Sequence, residues 1–357
     1  MTQAKAYSHG KKYGPSDKTR KILCTNSGDA YDYAYHIDKG PHAQTREVAC
    51  KDPEFAYNYA KYIDKKPRND TREAACRNPE FAYLYAKDID KCPRKETREA
   101  VCINLKLAFN YAKYIDKEPR EETRKVFCQK PNWAYKYALE IDKGPHKDTR
   151  EAACKESQWS FKYAENVDKG PREETRKVAC RVPERAYNYA KDIDKESRED
   201  TRKVACKDSR CAYLYAIYVD KEPRDDTREA ACESPFNAYA YALEVDQCPR
   251  DDTREAACRG PKMAYLYAEN VDKCPRDDTR KAACVAPEWA YAYAKYVDKC
   301  PREDTRKAAC VDPESAYFYA RSIDKCFHQK TWNAIRKTEY AEEYRKIINN
   351  MEKEKII

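Results

Sequence analysis

Apolar residues along this chain fall at i, i+3, i+4 and i+7, as in Ala82, Tyr85, Ala86 and Ile89, which sets them on one face of an α-helix. The pattern then gives way to a polar stretch and returns. Thr-Arg occurs at Thr19-Arg20, Thr45-Arg46 and Thr71-Arg72 and continues every 26 residues to Thr305-Arg306, twelve times in all. A cysteine keeps the same period from Cys24 to Cys310, and an aspartate from Asp38 to Asp324. Framed from Pro15, twelve complete units run to Cys326, and Pro249 to Cys274 (PRDDTREAACRGPKMAYLYAENVDKC) is a typical copy. No insertion breaks the register. Units that stack on one another need equal lengths to keep one geometry, so the constancy itself points to stacking.

Each unit reads as two short helices. The tyrosine helix carries the apolar face. Proline stands near its start (Pro53, Pro79, Pro131, Pro287), where a missing N–H costs nothing, and Asp52, Asn78 or Ser234 precedes it as a cap. Lysine ends it, placing a cation at the negative end of the dipole, and a second proline blocks continuation. The other helix carries the PRxDTREAAC segment. Pro67 or Asp70 opens it, Asp70 and Glu73 stand at capping-box spacing in this copy, and Thr71, Ala74 and Ala75 share a small-residue face. Neither helix is long enough to persist alone in water, so stacking must supply the stability and a single excised unit is expected to be unfolded.

These patterns predict an all-α fold: an α-solenoid, or superhelix, of twelve 26-residue helix-turn-helix repeats over residues 15–326. Residues 1–14 are polar and read as a flexible basic tail. In residues 327–357 the repeat stops, and Tyr340, Tyr344, Ile347, Ile348 and Met351 mark one face of a longer amphipathic helix, expected to cap the last repeat.

The segment AYNYAKYID at 56–64 and its eleven counterparts resemble the short tandem helical repeats of uncharacterised proteins from large DNA phages, bacteria and giant viruses. The resemblance covers residues 15–326 and implies architecture. It transfers no activity and no catalytic residue.

Composition sharpens the picture. Hydrophobic residues make up 41% and charged residues 37%, which suits an elongated object with a thin apolar spine. The net charge is +9, of which residues 1–14 hold +3 and residues 327–357 hold +2. The repeats therefore alternate acids and bases with little excess, a salt-bridge-laced surface rather than a polyanion-binding stripe. No apolar stretch approaches the roughly 18 residues of a membrane-spanning helix, and residues 1–14 carry no secretory core. With no such signal, the 18 cysteines are expected to be reduced thiols and the location cytoplasmic, the host cytoplasm for a viral protein.

The candidate chemistry is sparse. The histidines (His9, His36, His42, His146, His328) join no nucleophile motif, and no Gly-rich phosphate loop occurs. Acids near bases recur in every unit, whereas an active site is normally built once, so no enzyme, catalytic residue or cofactor is expected. No C-x-x-C pair exists, so no metal site is assigned: the AAC cysteines read as small buried hydrophobes, and Cys248, Cys274, Cys300 and Cys326 form a second column that Cys92 joins. The recurring Asp and Arg, as in Asp90 and Arg98, read as a ladder of ion pairs or capping bonds between helices. Against that stands a column of guanidiniums (Arg72, Arg98, Arg124) joined by a second (Arg68, Arg94, Arg120, Arg224) and facing an anionic partner.

The second tyrosine of each pair, such as Tyr85, belongs to the core. The first (Tyr57, Tyr83, Tyr135) either packs between repeats with its hydroxyl satisfied or offers a stacking surface for bases, with Asp90 two turns along on the face of Tyr83. The residue between them varies (Asp32, Asn58, Leu84, Lys136, Ala240, Phe318), which reads as the drift of a solvated face rather than a base-reading code. The leading expectation is a non-enzymatic interaction scaffold with a protein partner, a phage or viral protein acting on a host factor. The alternative is nucleic-acid or nucleotide binding along a groove lined by the Arg and Tyr columns.

Overall fold

The computed structural model describes residues 2–354, with side chains through Asn349. The chain forms two compact units, Met1–Val178 and Ala179–Ile357. Each is all-α and built from helix pairs recurring every 26 residues, the solenoid architecture that the sequence predicts. In one repeat the charged helix spans Asn69–Ala75, the tyrosine helix Pro79–Tyr85, and a wide π-helical turn Ala86–Asp90 follows.

The local chemistry explains these boundaries. Asn78 accepts the Glu80 N–H at 2.8 Å, and Asp52 caps its own helix in the same way, but Ser234 makes no side-chain cap bond. The charged helix opens at Asn69 after Arg68, not at Pro67 or Asp70. Asp70 forms no capping box with Glu73; its carboxylate instead accepts the Thr71 N–H at 2.9 Å.

The tyrosine helix does not run on as an α-helix through Ile89. At Ala86 it widens, and Lys91 N–H closes back onto the Ala86 carbonyl at 2.9 Å. An extra residue per turn re-aims the side chains that follow. Asp90, at the end of this turn, meets Arg72, whose guanidinium lies over the Tyr85 ring. The lysine at the end is in the left-handed region, at φ 52° for Lys91 and 57° for Lys221, and Gln247 takes the same conformation. Its backbone conformation, and not only its charge, thus terminates the helix.

Small clusters at repeat junctions make up much of the core, and a larger one, from Ala82 to Ile141, spans more than one junction. Ala34 of one repeat packs with Ala49, Tyr59 and Ile63 of the next, and Ala242 packs likewise with Ala257, Tyr267 and Val271. A repeat therefore has no complete core of its own, which is why short helices persist only in a stack. The second tyrosine of every pair, from Tyr33 to Tyr319, is fully buried.

The structure adds to the sequence reading at both ends. The expected flexible tail contains a helix, Gln3–Tyr13, capped by Thr2, with Ala6 and Gly10 buried. Polarity hid it because its contact uses small residues: a Cβ on Gly10 would lie 3.1 Å from Ile37 Cδ1. At the other end the repeat does not stop at Cys326. A short helix, Gln329–Ile335, repeats the charged helix, and Tyr340–Glu354 follows. Thr331 is buried, and His328 N–H donates to the Tyr344 hydroxyl at 2.9 Å, as in the complete repeats. Tyr340, Tyr344, Ile347 and Ile348 cover Ala316, Tyr317, Ala320 and Ile335. The side chain of Met351 lies outside the described residues.

Candidate interaction surface

The repeated polar residues are joined within each repeat. Tyr85 carries its hydroxyl 2.8 Å from Thr71 Oγ1; the Arg68 N–H donates to that hydroxyl at 3.0 Å, and the hydroxyl donates to the Arg68 carbonyl at 3.1 Å. A buried phenol thus satisfies the open N-terminus of the charged helix, where the Arg68 side chain makes no cap bond. Burial raises the Tyr85 phenol above its ordinary pKa.

Beside this latch lies the ion pair. Arg72 meets Asp90 side-on, Nη2 to Oδ1 at 2.6 Å and Nε to Oδ2 at 2.9 Å, with its guanidinium over the Tyr85 ring at 5.7 Å. The Asp90 carboxylate is fully buried and the Arg72 side chain only 8% exposed. The bond to Asp90 raises the Arg72 pKa. Arg98 forms the same pair with Asp116 at 2.6 Å, and Arg124 with Asp142 at 2.8 Å. Asp90 therefore pairs with Arg72, 18 residues before it, and not with Arg98. The proposed guanidinium column Arg72, Arg98 and Arg124 is internal structure.

The second arginine column occupies N-cap positions. Arg68 is half-buried, with Nε 3.3 Å from Asp70; Arg120 is half-buried and paired with Glu118; Arg94 is exposed. Carboxylates interleave with this column, so it forms no uninterrupted basic groove.

The first tyrosines reach the following repeat. Tyr57 is buried and donates to Asp88 at 2.6 Å, with Lys61 also on Asp88 at 2.8 Å. Tyr213 reaches Glu244 at 2.8 Å, and Tyr317 reaches Glu343 at 2.7 Å. The Tyr135 ring packs against Trp159, with centroids 5.7 Å apart. Tyr83 is half-buried and lines a cleft of about 520 Å³ with Lys87, Lys91, Tyr114, Ile115 and Lys117. The variable residue between the tyrosines is not uniformly solvated: Asp32 and Lys136 are exposed, Leu84 and Phe318 half-buried, and Ala240 buried.

The repeat that opens at Ser197 departs from this arrangement. The proline that opens eleven of the twelve units is Ser197 here. Ser197 donates to Asp220, while Arg202 turns its Nε to Asp226 at 2.8 Å and keeps a single contact of 3.2 Å with Asp220. Asp220 Oδ2 is buried without a hydrogen-bond partner, and burial raises the carboxyl above its ordinary pKa.

The AAC cysteines cap the charged helices and are mostly half-buried; burial pushes the Cys76 thiol up to about 11 and Cys50 to about 12. Cys248, Cys274, Cys300 and Cys326 are exposed, and Cys92 is half-buried. Among the described residues no group of three or more His, Cys, Asp or Glu is placed to hold a metal ion, and no helix is long and apolar enough to cross a membrane.

Sequence reading missed the threonine–tyrosine latch, although Thr and Tyr hold a constant separation of 14 residues, as at Thr71 and Tyr85. It also missed a cavity beside Cys211, the one cysteine that stands in neither column. Compared with protein-family models, with curated proteins and with solved structures, the chain matches none.

Proposed function

We propose that this chain is a non-enzymatic protein-interaction scaffold working in a cytoplasm, a phage or viral protein that binds a host factor. The observation that carries the reading is the internal pairing of arginine and aspartate, as in Arg72–Asp90 and Arg98–Asp116. A polyanion binder needs cations free to neutralise phosphates. Here the regular guanidinium column is spent inside the repeats, and what faces solvent is mixed in charge. Repeat stacks present long surfaces on which loop and helix positions vary without disturbing the fold. The phage or viral assignment rests on the resemblance of the repeat.

The test is an affinity pull-down from host lysate with and without nuclease. A stoichiometric protein that survives nuclease is the expected result. Nucleic acid whose removal strips everything else overturns the reading.

One observation favours a second reading, a nucleotide-like ligand. In the cleft at Tyr83 two tyrosines and three lysines stand together with no carboxylate in the lining. Calorimetric titration with a nucleoside triphosphate distinguishes the two: saturable binding lost in Tyr83→Ala favours the nucleotide, and absence of heat removes it.

A further inference from the structure

At one position of the tyrosine helix several repeats carry a large ring: Phe55, Phe81, Trp133, Trp159 and Trp289. Each ring packs on the first aromatic of the preceding repeat, with centroid separations of 6.1 Å for Tyr57 and Phe81, 5.7 Å for Tyr135 and Trp159, and 5.8 Å for Tyr265 and Trp289. The same register places Cys211 against Tyr187. The thiol is small, and a cavity of about 500 Å³ opens there, within the size range of small-ligand sites. Three of the other ringless positions are filled by different means. Asn237 is buried and bonds Ser209 at 2.9 Å, Met263 packs into its own cluster, and near Ser315 the Phe318 ring lies 6.0 Å from Tyr291.

We propose that the Cys211 cavity is a docking notch for a tryptophan side chain of the protein partner; the inference rests on the scaffold reading above. The shape argument comes from the fold: elsewhere the same backbone holds an indole in this place. Tyr187 and Cys211 are both buried against one another in one cluster, with Leu214 packed beside them, and Val182 is exposed at the rim. Glu184 and Asp208 also line the cavity. Asp208 is held by the Cys211 N–H at 2.9 Å, which orients its carboxylate at the N-terminus of the helix Ser209–Tyr215. These acceptors suit the indole N–H, which a phenyl ring lacks. Aromatic anchors seated in pockets are the usual centres of binding energy at protein interfaces.

The test uses the full chain and N-acetyl-tryptophanamide, read by saturation-transfer NMR. Transfer to the indole protons is expected in the native protein. It should be absent in Cys211→Trp, where the chain supplies its own ring as at Trp159, and reduced in Cys211→Met, which copies Met263 and keeps the test decisive should the larger residue disturb folding. No transfer in the native protein, or transfer undiminished in both variants, overturns the notch. The pull-down separates this from the scaffold reading. A partner lost with Cys211→Trp supports docking through the notch. A partner retained at equal yield overturns the notch and leaves the scaffold standing.

Discussion

The Tyr241 hydroxyl lies 2.9 Å from Thr227 Oγ1, across 14 residues of sequence and at the centre of a buried junction. It also accepts the Arg224 N–H at 3.0 Å and donates to the Arg224 carbonyl at 3.1 Å. One phenol thereby ties the tyrosine helix of a repeat to the start of its charged helix. Tyr241→Phe removes the acceptor of the Arg224 N–H, while Thr227 Oγ1 still donates to the Arg224 carbonyl at 3.1 Å, and is expected to cost about 1–3 kcal/mol. Urea denaturation measures the loss. A double-mutant cycle with Thr227→Val should show coupling between the two, and strict additivity would count against the latch.

The ion pairs make a sharper prediction. Asp116→Ala strands the Arg98 guanidinium, whose side chain is only 13% exposed, and should destabilise by about 3 kcal/mol. Replacing both partners by apolar residues of matching volume, Arg98→Met with Asp116→Leu, should recover most of that loss. If the single and double variants melt together, the charge is not what the burial penalises.

Repeat eight should respond to repair and to pH. Ser197→Pro restores the residue found at the other eleven positions and should stabilise by about 0.4–1 kcal/mol by narrowing the unfolded ensemble. Burial raises Asp220, so the folded chain holds that proton more tightly than the unfolded chain does. Stability contributed by this group therefore falls as pH rises from the ordinary aspartate value, about 3.9, through the raised folded one. With the regular Arg202–Asp220 pair restored, the advantage of the proline variant should grow across that window and then level off. Denaturation midpoints from acidic to neutral pH decide it, and a pH-independent difference would mean that Asp220 is not involved.

Thiol reactivity should divide by column. Cys248, Cys274, Cys300 and Cys326 are exposed, whereas burial holds the Cys258 and Cys284 thiols at about 11 and leaves little nucleophilic thiolate. Brief alkylation at mildly alkaline pH, read by peptide mass, is expected to label the exposed column first. Equal labelling of Cys258 and Cys274 would contradict the structure.

The left-handed lysines test local strain. Lys221→Gly relieves a positive φ of 57° but gives the unfolded chain more freedom, so the net change should stay within about 1 kcal/mol of zero. A larger loss would show that the lysine side chain holds the turn.

Much of this protein follows from its sequence alone. The period, the two helices of each repeat, the burial of Tyr85 and its counterparts, and the dependence of short helices on stacking come from spacing and length, because helical periodicity is a local property. Register also determined that an Asp and an Arg recur in every unit. Only the tertiary structure decided that Arg72 closes on Asp90 rather than leaving Asp90 to Arg98, since both are compatible with the same period. It likewise decided that the hydroxyl of Tyr85 reaches back to Thr71, and that the helix widens from Ala86 to Asp90. The amino-terminal helix escaped the pattern because its contact rests on small residues, as where Gly10 meets Ile37, and the degenerate last repeat because its charged helix, Gln329–Ile335, lacks the Thr-Arg and cysteine that mark the others. The cavity at Cys211 was out of reach for the same reason: an absent ring carries no signal until its neighbours are in place.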